Sequence, residues 1–121
     1  MATVELTKEN LDQTISENDI VMVDFWAAWC GPCQQFGPIY QAASEKHPDV
    51  VFGKVDTDAQ QEIAAMAGIS SIPTVMIFRE GVPVFRNAGV LPEAAIGDLL
   101  KQVKELNMDE VRAQIEEAEK K

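Results

Sequence analysis

The sequence predicts an α/β fold in which a central mixed β-sheet carries helices on both faces and ends in a β-hairpin and a helix. Apolar, β-rich runs alternate with helical patterns, which is typical of parallel strands. Glu80-Gly81 separates the last two strands and is short enough only for a hairpin turn, which adds an antiparallel edge. The chain of 121 residues is 46% hydrophobic and 25% charged, a composition typical of one globular unit.

The first half of the chain begins with a short strand, after which helices and strands alternate. The predicted elements are a strand over residues 3–5, a helix over 8–17, a strand over 20–25, a helix over 31–46 and a strand over 50–56. Thr7 is placed to cap the first helix. Pro38 should kink the second helix, because a proline inside a helix removes a hydrogen bond.

The second half adds a helix, the hairpin and a further helix. A helix over residues 59–67 should end at Gly68 in a left-handed cap. Strands are predicted over residues 74–79 and 82–86, after which Pro92 opens the next helix.

The chain continues beyond Leu106 with one more helical pattern. Its apolar residues recur at steps of three and four: Met108, Val111, Ile115 and Ala118. We divide the chain into a domain over residues 1–106 and a helical extension over 107–121. The extension is expected to fold back onto the domain or to pack on another chain.

Charge excludes several classes of partner. Ten Lys and Arg against twenty Asp and Glu give a net charge of −10, which repels nucleic acid and anionic lipid.

The apolar runs are too short to cross a bilayer. The N-terminus lacks the basic cluster and apolar block of an export signal, so we expect a cytoplasmic protein.

The two cysteines lie in the run Trp29-Cys30-Gly31-Pro32-Cys33, where a strand gives way to a helix. If Cys30 is the N-cap, the amide N–H of Cys33 points back at the Cys30 sulfur. That hydrogen bond and the helix dipole favour a thiolate, which makes Cys30 the nucleophile candidate. Pro32 stiffens the turn that holds the two sulfurs within bonding reach.

Three less reactive interpretations of the cysteines compete. A structural disulfide across so short a loop is worth only roughly 2 kcal/mol. A zinc site needs four ligands, and only His47 is left to join the cysteines without borrowed carboxylates. Two buried, inert thiols fit poorly with a Gly-Pro turn. We therefore predict a redox pair and no metal, and interpret His47 as a solvated helix-end residue.

Asp24 interrupts an otherwise apolar strand. Burial there should raise its pKa, so that Asp24 could accept and return the proton of Cys33 through water. Alternatively, Asp24 turns back to solvent at the strand end. Lys54, in the neighbouring strand, is either its countercharge or a solvated edge lysine.

Other residues near the cysteines can form a contact surface. Pro73 starts a strand, where a cis peptide bond would make a tight turn, although the spacing alone does not establish one. Gly89 allows close approach of a partner's backbone. Trp29 offers a flat apolar contact beside the reactive sulfur.

The run Trp26-Ala27-Ala28-Trp29-Cys30-Gly31-Pro32-Cys33, with Ser71-Ile72-Pro73-Thr74 further on, resembles the thioredoxin family from about residue 3 to 106. The resemblance implies that family's fold, a central mixed sheet flanked by helices. It implies that Cys30 attacks, that Cys33 resolves, and that the two form the redox-active disulfide. It also makes Asp24 and Lys54 the buried acid and its partner, and Pro73 the cis-proline facing the disulfide. The implied client-binding residues are Trp29, Gly31, Pro32, Ile72 and Gly89.

The implied activity is that of a monomeric protein-disulfide reductase without a bound cofactor. Its partners would be disulfide-containing clients and a separate flavoprotein, thioredoxin reductase, that delivers electrons from NADPH. Gln34 stands where many relatives carry a basic residue, so one charge favouring the thiolate is absent. A binding or chaperone module that uses the same surface without turnover is the alternative, against which the intact cysteine pair argues.

Overall fold

Strands and helices alternate as far as the first strand of the hairpin, and the computed structural model describes residues 2–120. Met1 and Lys121, the outer limits of the two predicted units, lie outside the described residues. The elements are β1 (Thr3–Glu5), α1 (Leu11–Glu17), β2 (Ile20–Trp26), α2 (Gly31–Lys46), β3 (Val51–Asp56), α3 (Gln61–Met66), β4 (Thr74–Arg79), β5 (Val82–Ala88), α4 (Glu93–Lys104) and α5 (Met108–Glu119).

The strands form a five-stranded sheet in the order β1-β3-β2-β4-β5. β3 pairs in parallel with both β1 and β2, whereas β4 runs antiparallel to β2, and β5 to β4. The predicted mixed sheet with a terminal hairpin is therefore confirmed. β2 occupies the middle of the sheet, so both of its faces are buried.

Alternation along β2 divides the core into two layers. Met22 belongs to the layer on the α2 and α4 side, with Tyr40 and Leu100. Val23 belongs to the opposite layer, which contains Leu6 and Ile63. Since successive strand residues face opposite sides, Asp24 shares the face of Met22, the face that α2 covers.

The turn between β4 and β5 has the geometry expected of a two-residue hairpin. Glu80 and Gly81 have φ values of 52° and 81°, both in the left-handed region that such turns require. β5 extends two residues beyond its predicted end, because Ala88 still pairs with Thr74. The register of the pair shifts between Ile77 and Phe78.

The first helix begins later than predicted. Thr7 caps a turn instead, its hydroxyl accepting from the Glu9 amide at 3.3 Å. Asn10 folds back so that its side-chain oxygen accepts from the Thr7 amide at 2.7 Å, and α1 begins at Leu11. The third helix is also shorter than predicted, because Asp56 accepts from the amides of Asp58 and Ala59 and forms a turn there.

The chain ends in two helices with a break between them. Asn107 caps α5 by accepting from the Glu110 amide at 3.2 Å. Met108 is buried, and Arg112 pairs with Glu80 of the hairpin at 2.9 Å, so α5 folds back onto the sheet. None of the helices described between residues 2 and 120 is long and apolar enough to cross a bilayer.

Candidate active site

Cys30 and Cys33 lie at the N-terminus of α2 and are joined by a disulfide, with their Cα atoms 5.2 Å apart. Cys30 is the N-cap, and its sulfur accepts a hydrogen bond from the Cys33 amide at 3.2 Å. Pro32 lies in the first turn, where a missing N–H costs little. No acidic residue lies in that turn, so the positive end of the helix dipole acts unopposed on the sulfur.

The segment that leads into α2 is held by its own hydrogen bonds. The Cys30 amide donates to the Ala27 carbonyl at 3.2 Å. The Gln34 side-chain amide donates to the Ala28 carbonyl at 2.8 Å. Gln34 therefore fixes the turn that precedes the nucleophile candidate.

The disulfide is nearly covered by its neighbours. Cys30 and Cys33 are only 4% and 5% exposed and pack with Ala27, Trp26 and Ile72. Trp29, by contrast, is 71% exposed, and its indole N–H donates to Asp58 at 3.1 Å. A broad apolar ring thus stands at the surface immediately before the reactive pair.

A loop between α3 and β4 lies against the disulfide. Its Ile72 carbonyl oxygen is 3.7 Å from the Cys30 sulfur, and the Ile72-Pro73 peptide bond is cis. The Gly89 amide donates to the Pro73 carbonyl at 2.8 Å, and Gly89 has a φ of 110°, which favours glycine. The structure therefore brings Ile72 and Pro73 next to the cysteines and joins Gly89 to them.

Asp24 is buried in the middle of the sheet. It is 1% exposed, and its Oδ1 atom has no hydrogen-bond partner among the described residues. Burial raises the pKa of Asp24 from 3.8 to about 7, and the positive charge of Lys54 opposes that rise. The alternative in which Asp24 turns to solvent is therefore wrong.

Lys54 is the register partner of Asp24 on the adjacent strand β3. No ion pair within 4.0 Å joins the two among residues 2–120. The Lys54 ammonium lies over the Trp26 ring, 4.9 Å from the ring centroid. It is half-buried, and acts on Asp24 through its field and not through a salt bridge.

Two charged residues near the site escaped the sequence analysis. Asp58 holds the Trp29 indole, and Arg86 donates to the Ala67 and Gly68 carbonyls at 2.6 and 2.7 Å. No local pattern links partners that lie 29 and 18 residues apart. The one available signal was that α3 has no basic residue in its last turn, which leaves its terminal carbonyls for a distant cation.

The remaining titratable candidate is His47. His47 is the C-cap of α2, so its predicted position at a helix end is confirmed; it is half-buried, and its ring stacks on Phe52 with centroids 6.3 Å apart. Among residues 2–120, no group of three His, Cys, Asp or Glu side chains could hold a metal ion.

Comparisons with known proteins agree with this geometry. The profile of the Thioredoxin family matches residues 2–102. The chain is 61% identical over 116 residues to a Streptomyces coelicolor protein named as a thioredoxin, covering 96% of this chain and 87% of the relative. It is 41% identical over 105 residues to the thioredoxin of Alicyclobacillus acidocaldarius, covering 83% of this chain and 100% of the relative. A solved mutant thioredoxin from Halobacterium salinarum superposes with a TM-score of 0.80 at 34% identity, covering 86% of this chain and 92% of that one.

Proposed function

The chain belongs to the thioredoxin family and is a thiol-disulfide oxidoreductase, and from this premise we propose that it reduces disulfides in protein clients through Cys30 and Cys33. The observation that carries the proposal is the hydrogen bond from the Cys33 amide to the Cys30 sulfur at the start of α2. A donor and a helix N-terminus aimed at one sulfur favour its anion, which is the attacking form.

In the first step, the Cys30 thiolate attacks one sulfur of a client disulfide. The client S–S bond breaks, a mixed disulfide between Cys30 and the client forms, and the second client sulfur leaves as a thiolate that takes a proton. Trp29, Gly31, Pro32, Ile72 and Gly89 form the client-binding surface. Exposure of Trp29 and the contact between Ile72 and Cys30 support this assignment.

In the second step, the Cys33 thiolate attacks the Cys30 sulfur, the mixed disulfide breaks, and the reduced client leaves. The two electrons of the dithiol have then passed to the client, and the Cys30–Cys33 disulfide remains. Asp24 takes the Cys33 proton through water, because its carboxyl lies on the sheet face that α2 covers and has a pKa of about 7. Lys54 tunes the charge on Asp24, and Pro73 holds the opposing loop against the disulfide.

The family works without a prosthetic group, so the disulfide must be reduced again by an external reductant before the next client binds. We propose a flavoprotein, thioredoxin reductase, that delivers electrons from NADPH. A reductant of this kind works where such a reductase is present, which favours a cytoplasmic location. We further propose that the chain acts as a monomer, in which residues 1–106 form the catalytic domain and 107–121 an extension.

Replacement of single cysteines tests the order of the two steps. With dithiothreitol as reductant, the wild-type chain should reduce insulin, and both Cys30→Ser and Cys33→Ser should abolish turnover. When the pre-reduced protein is mixed with insulin after removal of dithiothreitol, Cys33→Ser should accumulate a mixed disulfide with insulin, visible by non-reducing electrophoresis and mass spectrometry. Accumulation in Cys30→Ser instead would reverse the assigned roles.

Replacement of Asp24 tests the proton transfer. In single-turnover experiments near neutral pH, Asp24→Asn should slow the release of reduced insulin more than the initial attack, because only release requires deprotonation of Cys33. Equal slowing of both steps would remove Asp24 from this role.

A further inference from the structure

Residues 68–73, here called the 68–73 loop, join α3 to β4 and place Ile72 against the disulfide. Within the described part of the chain, the amides of Ser70, Ser71 and Ile72 donate no backbone hydrogen bond. Packing of Ile69 and Ile72 against the core holds the loop from one side. Because its middle has few hydrogen bonds, the contacts at its two ends also determine where Ile72 lies beside Cys30.

Arg86 holds the first end of the loop. Its guanidinium donates from Nη1 to the Ala67 carbonyl at 2.6 Å and from Nη2 to the Gly68 carbonyl at 2.7 Å. Gly68 has a φ of 67°, and α3 carries no basic residue of its own in its last turn. Two N–H groups of one planar guanidinium thus donate to adjacent carbonyls, and the guanidinium places a positive charge at the C-terminus of α3, the negative end of its dipole.

The second end of the loop is held by the same stretch of chain. The Gly89 amide donates to the Pro73 carbonyl at 2.8 Å, only three residues after Arg86. Thr74 adds a hydrogen bond from its hydroxyl to the Ser71 carbonyl at 2.6 Å. β5 and the residue that follows it thus clamp both ends of the 68–73 loop, by a side chain at one end and by the backbone at the other.

We propose that Arg86 is a positioning residue for client binding, which fixes the 68–73 loop so that Ile72 meets a protein substrate beside Cys30. The proposal rests on the proposed function, because it takes Ile72 as part of the client-binding surface. Arg86 has no part in the sulfur chemistry. Its loss should therefore affect large clients, which span the loop, more than small disulfides, which need only the exposed edge of the reactive sulfur.

Arg86→Met tests the proposal, because it removes the guanidinium and keeps the apolar stem. The KM for insulin should rise about fivefold, with a smaller change in kcat. The rate constant for hydroxyethyl disulfide, a small substrate, should stay as in the wild type. Arg86→Lys should restore part of the insulin KM, since a single ammonium can reach one carbonyl but cannot bridge both as a fork.

Arg79 offers a matched control. Its Nη1 donates to the carbonyls of Val103, Lys104 and Leu106 at the end of α4, so it also caps a helix from the β4–β5 hairpin. Arg79→Met should lower the free energy of unfolding and leave the insulin KM unchanged. Amide hydrogen exchange should locate the two effects, with faster exchange at Ile69 in Arg86→Met and at Leu106 in Arg79→Met.

An unchanged insulin KM in Arg86→Met would overturn the proposal. A fall in its rate constant for hydroxyethyl disulfide as large as its loss of activity with insulin would also overturn it, as would an equal rise of the insulin KM in Arg79→Met. If Arg86→Met does not fold, Arg86→Lys is compared with the wild type in the same two assays. An insulin KM and an amide exchange rate at Ile69 that both equal those of the wild type would then overturn the proposal. Failure of the wild-type chain to reduce insulin would instead contradict the proposed function, so the two outcomes are distinguishable.

Discussion

The ammonium of Lys54 lies over the indole ring of Trp26, 4.9 Å from its centroid. Trp26 in turn packs against the buried cysteines. The positive charge nearest to Asp24 in strand register is therefore held by a ring and not by the carboxylate. This leaves Asp24 with a pKa near neutrality, where a full salt bridge would have kept it ionised throughout the physiological range.

Removal of the Lys54 charge should raise the pKa of Asp24 above about 7, because burial would then act without the opposing positive charge. The chemical shift of the Asp24 carboxyl carbon, followed by NMR against pH in Lys54→Met, measures this directly. Lys46→Met is the control, since Lys46 lies at the opposite end of α2 and pairs with Glu93. Identical titration midpoints in Lys54→Met and the wild type would contradict the prediction.

Asp24 should also make the stability of the protein depend on pH. Between about pH 4 and pH 7 the unfolded chain loses this proton while the folded chain keeps it, so stability falls as pH rises. A pKa raised from 3.8 to about 7 corresponds to a loss of about 4 kcal/mol, complete above pH 7.

Asp24→Asn should abolish this part of the pH dependence and be more stable than the wild type at pH 8. Urea unfolding of both proteins at about pH 4 and pH 8 gives the comparison. Since the other titratable groups are shared, the difference between the two curves isolates Asp24. Parallel curves would show that Asp24 ionises as readily in the folded chain as in the unfolded one.

Gly53 should not tolerate a side chain. A Cβ atom there would lie 2.8 Å from Cγ of Leu6, which is fully buried. Gly53→Ala should lower the free energy of unfolding by about 1–3 kcal/mol. Gly37→Ala is the control, because its Cβ would meet nothing within 4 Å and alanine favours the helix by up to about 1 kcal/mol. Urea midpoints that shift in the same direction would contradict this account.

The two ends of α5 should contribute unequally to stability. Met108 is 5% exposed, so Met108→Ala should cost about 2–3 kcal/mol. Ile115 is 38% exposed, and Ile115→Ala should cost less than about 1 kcal/mol. Denaturant unfolding measures both. Equal costs would mean that the second half of α5 is as firmly packed as the first.

Much of the fold follows from local patterns in the sequence. The alternation of strands and helices, the Glu80-Gly81 turn and the capping role of Cys30 depend on neighbours within a few residues, and the structure has all three. The start of α1 was predicted too early, because two potential capping residues, Thr7 and Asn10, lie three positions apart and the sequence does not show that the Asn10 side chain accepts from the Thr7 amide.

The site was harder to predict where it depends on distant contacts. That Asp24 is buried could be proposed, but the position of the Lys54 charge depends on where the Trp26 ring lies. Arg86 and Asp58 carry no local motif, because their partners come from other elements. A side chain that acts by reaching across the fold becomes visible only when the fold is known.

The last strand in the sheet order, β5, carries Pro83 at an exposed position and pairs irregularly with β4 near Ile77. An unpaired edge strand can form hydrogen bonds with a strand of another molecule, and long, flat, regular edge strands do so most readily. A proline lacks the N–H that this pairing needs, and a register shift bends the strand. β5 can therefore serve as an anchor for the 68–73 loop without inviting edge-to-edge aggregation at high protein concentration.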